Sequence, residues 1–503
     1  MADEESTEEV SAAISDLALS HALDNDAIDD AEFDIPELQT TATLESILNQ
    51  DDDGFEPELD AESLYPPGSD SSSETHSIVG DSETPDRTPT RSKKQSIQYA
   101  MHGSILRHVT LKSVSSQVSA AADRVDAGKP SALAVGMYVA VGSSHGLILV
   151  FDPQQTLKWC LGSTAVGAQY GAVSALCINN DSTRLLAGFA KGQMTMWDLT
   201  TGKLLRTMTD AHPPGSAVLH IQFTDDPTIA ICSDSGGSVF ELNFKRVMGI
   251  RSCESRCLFS GSRGEVCTLA PLRTNFLVKD HPLKDMMLLA MATLSKVFVV
   301  HLRPRLAVSF TKQLKGPSDT LPLLAWQIVI IQVTQSSRVI DPVLAFGRHD
   351  TIYFYQLVYQ EGVKVKFAPL QIMKLSYTLL NMQWMNAHTM VTVDTAENLH
   401  LLHIRMEEEL EVIDLVDIEL VYGNSFFKSL ATGGNVSEAM ALAGERACYQ
   451  SIETHKGQLL LLGTKRIQLL TKVGNFKGAL QLANSFLNGK ARAVIGRTNV
   501  QNI

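Results

Sequence analysis

From about residue 131 onward the chain alternates short apolar runs with polar turns, and the runs return in register. Residues 139–152, 185–198 and 229–242 share one pattern: an apolar run, a small polar turn, then a second apolar run. The turn opens at Gly142, Gly188 and Ser233, and a second glycine falls at Gly146, Gly192 and Gly237, so both landmarks recur after 46 and then 45 residues. Upstream, residues 173–178 and 218–223 are again 45 apart. Runs of four to six apolar residues around a glycine predict strand, tight turn, strand, because glycine supplies the positive φ that a short hairpin requires.

Weaker copies occur at residues 288–300, 343–355, 390–402 and 459–469, which makes seven units between about 131 and 471. A period near 45, with Trp197-Asp198 closing one strand, resembles the WD40 repeat, in which four strands form one propeller blade. The expected fold is therefore all-β, a seven-bladed WD40-like β-propeller over residues 101–471. The spacing widens after the third unit and before the seventh, which predicts longer loops at 246–265 and 432–456. Residues 465–473 have room for one element, either the last blade's strand or the first helix of a solenoid. If the seventh unit lacks its closing strand, the open edge favours aggregation or strand pairing. Beyond it the period changes. Phe476, Ala479, Leu480, Ala483, Phe486 and Leu487 fall on one helical stripe stopped by Gly489, so residues 472–503 read as the start of a truncated α-helical solenoid.

Charge divides the chain further. Of 56 acidic and 42 basic residues, 26 and four lie in residues 1–100, a balance of −22, which leaves +8 for the remainder. Stretches such as Asp51-Asp52-Asp53-Gly54 and 65–73 lack the apolar area needed to offset chain entropy, so residues 1–100 read as a disordered acidic tail. Ile14, Leu17 and Leu19, and Leu44, Ile47 and Leu48, sit at helical spacing within it, either incidentally or as a short acidic motif for a basic groove. Thr84-Pro85 and Thr88-Pro89 precede a basic cluster and suit proline-directed phosphorylation.

The segment after Met1 is acidic, without the basic and apolar regions of a secretory signal, and no apolar run reaches the roughly 20 residues a spanning helix needs. Residues 321–333 come nearest, interrupted by Gln327. Seven cysteines in 503 residues suit reduced thiols. The expectation is a soluble intracellular protein, in which the sequons at Asn180 and Asn435 are silent.

Candidate chemistry is sparse. Gly142-Ser143-Ser144-His145-Gly146 fits the G-x-S-x-G nucleophile elbow, but an elbow leads into a helix and this turn leads into a strand. Cys253, Cys257 and Cys267 lack a fourth ligand at zinc spacing. No Walker, Rossmann or H-E-x-x-H motif occurs. His400 and His403 flank a strand and read as packed or surface residues. Lys245, Arg246, Arg251, Arg256, Arg263, Arg303 and Arg305 form the densest basic stretch, read as a solvated loop with a docking patch for an acidic partner as the alternative. Aromatics do not interleave with these bases, which argues against nucleic acid. No catalytic, cofactor or metal residues are expected.

Residues 141–146, the unit ending Met196-Trp197-Asp198-Leu199, and the closing phrase 479–496 together resemble the vacuolar protein sorting-associated protein eight family, over about 101–496. The resemblance implies a non-enzymatic subunit of CORVET, the class C core endosome tethering complex. It implies a propeller that recognises a GTP-loaded early-endosomal Rab GTPase, and peripheral residence on early endosomes. It also implies a solenoid and a RING-like zinc end that this chain does not carry, so it reads as a truncated form whose partnership with the class C core subunits is in question. An adaptor propeller of a coat or a ubiquitin ligase is the alternative.

Overall fold

A computed structural model describes residues 105–420, 451–472 and 495–496, apart from a few residues in turns (214, 248–249, 262–263, 276, 278–280, 333–337, 361–362 and 465–466). The expectations for the acidic tail, the C-terminal helical stripe and most of 432–456 lie outside the described residues.

The strands form seven antiparallel sheets, each the blade of a ring, lettered here a to d from the central channel outward. Blade 1 is Pro130–Val135, Val139–Ser143, Ile148–Phe151 and Leu157–Leu161; blade 2 is Val173–Ile178, Arg184–Phe189, Met194–Asp198 and Leu204–Met208. Blade 3 is Val218–Phe223, Ile229–Asp234, Val239–Val247 and Ile250–Phe259; blade 4 is Thr268–Pro271, Met287–Ala292, Lys296–Arg303 and Ala307–Gln313. Blade 5 is Leu323–Gln332, Arg338–Arg348, Thr351–Gln360 and Val363–Lys374; blade 6 is Leu379–Asn386, Thr389–Asp394, Asn398–His403 and Glu408–Asp414. All seven repeats read from the sequence fall on blades.

Blade 7 resolves the question of closure. Its strands a to c are Ile452–His455, Gln458–Leu462 and Ile467–Lys472, so residues 467–472 form a strand. Its strand d is Leu106–Thr110, from the opposite end of the ring. Glu411 of blade 6 accepts the N–H groups of Ile105 and Leu106 at 2.9 and 3.0 Å, which fixes the entry of that strand. Blade 7 thus has four strands like its neighbours, and strand 467–472 is paired on both sides.

Six hydrophobic clusters each fill one seam between neighbouring blades, and a seventh fills the seam of blades 7 and 1 and runs on to residues such as Ala190, Leu219 and Cys267. Each sheet is therefore apolar on both faces, which explains why strands a to c read as continuous apolar runs rather than strict alternation. Two α-helices lie among the described residues. Helix α1 (Lys112–Val125) wedges Val114 into the seam of blades 7 and 1, next to buried Leu111. Helix α2 (Thr164–Tyr170) joins blade 1 to blade 2, N-capped by Ser163.

The two repeated glycines have different jobs. Gly146, Gly192 and Gly237 take φ of +80°, +97° and +75° in the b–c turns. Gly142 and Gly188 are strand residues where a Cβ would meet Val173 or Val218 of the next blade at 2.5 Å. Close packing between blades requires them, not turn geometry.

The loop expected at 246–265 is corrected. Residues 250–259 form strand d, and the c–d hairpin of blade 3 runs nine paired positions, from Val239↔Phe259 to Val247↔Ile250. The extra length before the fourth unit lies instead between Pro271 and Met287. Blade 5 is longer still. Its a–b hairpin pairs from Leu323↔Gly347 to Gln332↔Arg338, and Ile495–Gly496 adds a short parallel strand beside Ile331 and Gln332.

Candidate partner-docking surfaces

The serine motif is a hairpin turn. Ser143 Oγ accepts the Leu147 N–H at 3.0 Å, and Ser144 Oγ accepts the Lys129 N–H at 2.9 Å. His145 Nδ1 lies 2.7 Å from the Asp126 carbonyl, so the histidine closes the linker after α1. These side chains serve the backbone, as in an ordinary turn.

The three cysteines are distributed over separate surroundings. Cys253 packs on the blade 2–3 cluster, Cys257 is exposed, and Cys267 is buried at the start of blade 4, its N–H on the Ala292 carbonyl at 2.8 Å. Burial pushes the Cys253 thiol up to about 11 and the Cys267 thiol up to about 12.

His400 and His403 differ, although both flank one strand. The His400 ring stacks on Tyr377 with centroids 3.6 Å apart. Its Nδ1 lies 2.5 Å from Glu409 Oε1 and its Nε2 3.2 Å from Asp394 Oδ2. Burial pulls its pKa down, but the two carboxylates outweigh this and hold it above the usual histidine value. Tyr377 in turn bonds Thr392 Oγ1 at 2.6 Å. His403 caps the c–d turn, its Nδ1 3.2 Å from the Met406 N–H.

At the channel, Arg273 of blade 4 reaches across the ring. It donates to Asn180 Oδ1 of blade 2 at 3.1 Å and Gln222 Oε1 of blade 3 at 3.2 Å. Asp225 accepts both the N–H and the hydroxyl of Thr274. Glu453 and His220 stand on innermost strands and keep some contact with the channel while enclosed by its walls. Burial raises Glu453 to about 8, against the pull of Arg273, and lowers His220 to about 4. Nothing in the sequence joins the blade 2, blade 4 and blade 7 positions of this set; only the ring brings them together.

The basic stretch is not a loop. Lys245, Arg246, Arg251 and Arg256 lie on the long blade 3 hairpin, while Arg303 and Arg305 flank the c–d turn of blade 4. Arg263 falls outside the described residues. Arg256 and Arg303 converge on Glu241, a blade 3 strand residue whose side chain is 4% exposed, at 2.8 and 2.6 Å. Lys245 pairs with Glu254 at 2.6 Å. The sequence could not show Glu241 as the organiser, because it lies 62 residues from one of its two partners.

These contacts bind blade to blade, and what the ring offers outward is hairpin tips, strand edges and charge. That defines a seven-bladed β-propeller. No helix among the described residues is long and apolar enough to cross a membrane.

The chain belongs to the Vps8 beta-propeller family, whose model matches residues 104–471. It is 52% identical over 491 residues to the human protein named vacuolar protein sorting-associated protein 8 homolog, covering 94% of this chain and 34% of that one. The Drosophila melanogaster homolog of the same name is 43% identical over 479 residues, covering 93% of this chain and 37% of the relative. The chain thus spans about a third of the length of these relatives. Among solved structures, a Myceliophteria thermophila Cps50 (Swd1) β-propeller domain matches at 12% identity with a TM-score of 0.47, covering 69% of this chain and 97% of that one.

Proposed function

We propose that this chain is a non-enzymatic recognition module of a CORVET-type endosomal tethering complex, and that its propeller reads a GTP-loaded early-endosomal Rab GTPase. The observation that carries the reading is the 52% identity to a protein named for vacuolar sorting, extending through all seven blades. A ring whose polar side chains are spent on seams and turns suits a protein that is touched rather than one that transforms a substrate. In this reading the chain sits peripherally on early endosomes and contributes to vesicle tethering and to transport toward the vacuole or lysosome. The class C core subunits would be met by regions of the longer relatives that lie beyond this chain.

The test is a pull-down of the 503-residue chain on an early-endosomal Rab loaded with a non-hydrolysable GTP analogue or with GDP. Retention on the GTP form alone is expected. Equal retention on both forms, or none, overturns the proposal.

A further inference from the structure

The blade 3–4 seam holds a charge imbalance that the fold does not need. Two guanidinium groups, Arg256 and Arg303, share the single Glu241 carboxylate, and both remain partly open to solvent, with side chains 51% and 37% exposed. Arg305 is exposed in the adjacent turn, and Lys245 and Arg246 stand further out on the same hairpin. Counting Glu241 and Glu254 against Lys245, Arg246, Arg256, Arg303 and Arg305, the surface carries a net charge of +3. The single carboxylate leaves one positive charge over, and each guanidinium keeps donors not spent on Glu241 for a further anion.

We propose that this surface docks the chain's own acidic segment at residues 51–62, which occupies it until an acidic partner displaces it. Three observations select that occupant. The segment, Asp-Asp-Asp-Gly-Phe-Glu-Pro-Glu-Leu-Asp-Ala-Glu, has seven carboxylates, no base, and Phe55 and Leu59 interleaved. The chain enters the ring at the start of strand d of blade 7, which lies at the c–d end, the same end from which the blade 3 hairpin projects. The 43 residues from 62 to 105 can extend to roughly 140 Å. Two four-stranded blades and a channel measure only roughly 50 Å across. Charge steers the contact and salt weakens it.

The experiment uses the full chain, a neutralised variant with the seven carboxylates of 51–62 changed to Asn or Gln, and polyglutamate as probe. Polyglutamate should bind the neutralised variant roughly tenfold more tightly than the native chain, a difference of about 1.4 kcal/mol. Adding Lys245→Glu and Arg305→Glu, both exposed, should remove that gain, and the thermal midpoint should fall only slightly because the Lys245–Glu254 pair that is lost is itself exposed. In the native chain, carbodiimide should couple Lys245 to a carboxylate of 51–62 at low salt and not in high salt. Equal polyglutamate binding by native and neutralised chains overturns the proposal, as does a gain that survives the charge reversals. A gain seen only with phosphatidylserine vesicles would assign the surface to membranes and overturn it too.

Discussion

Leu106 lies opposite Lys472 in an antiparallel ladder, so positions 366 residues apart share one sheet and the ring is closed by its two ends. Leu106 is also 1% exposed, in the cluster between blades 6 and 7. Leu106→Ala should therefore cost about 2–4 kcal/mol, the usual range for a buried leucine. Removing residues 105–110 should do more, leaving strand 467–472 as an unpaired edge. Denaturant unfolding and light scattering check both: the point variant should keep one cooperative transition, and the deletion should lose it and aggregate.

Arg348 latches blade 5 to blade 4. Its guanidinium donates to the Leu294 carbonyl, and to those of Lys315 and Gly316 at 3.0 and 2.9 Å. Replacement by Met leaves these carbonyls without that donor, and a loss of about 2–4 kcal/mol is expected. Arg348→Lys should recover only part of it, because an ammonium cannot spread its donors across the same arc. Urea midpoints of the two variants give the comparison.

The His400 cluster makes stability depend on pH. A histidine held above its ordinary value of 6.5 contributes fully below that value, and the contribution fades as pH rises through the higher folded-state value. Asp394 behaves oppositely. Burial pushes its pKa up, but Asn398 and His400 outweigh this and hold it low, so its contribution is present at neutral pH and lost in acid. His400→Gln should flatten the decline in stability on the alkaline side of 6.5, as read from unfolding free energies across that range.

Gly167 presses helix α2 onto the blade 1 turn. A Cβ there would collide with the His145 carbonyl, which is backbone and cannot swing aside. Gly167→Ala should push the helix outward and lower stability by about 2–3 kcal/mol, although alanine is the better helix former in isolation. Hydrogen exchange at the Leu147 and Gly171 amides should report the displacement, with exchange quickening there before it does in blades 4 to 6.

Much of the ring was legible because its repeat is carried by glycines with independent reasons to recur. Gly142 and Gly188 are held by contact with the next blade, while Gly146, Gly192 and Gly237 are held by a turn. The closing strand was not legible. Leu-Arg-His-Val-Thr offers two apolar residues in five, and its pairing partner lies some 360 residues away. Helix α1, rich in Ser and Ala, shows only a thin stripe, because it fills a seam with Val114 and Leu111 rather than a broad face. The hairpin at 250–259 read as a loop because an outermost strand has one face in water and its polar positions dominate the pattern. The Glu241 cluster needed the third dimension, since this carboxylate gathers arginines from two blades.

The clasp has a mechanical meaning. Leu106 and Lys472 sit side by side at the same end of adjacent strands, so these two strand ends lie at one corner of blade 7. A load applied between those ends peels the pairs apart in succession instead of stretching all five at once. Under tension applied at these two residues, blade 7 is where this ring yields first. A pulling experiment should record a low initial rupture at blade 7, ahead of the other six.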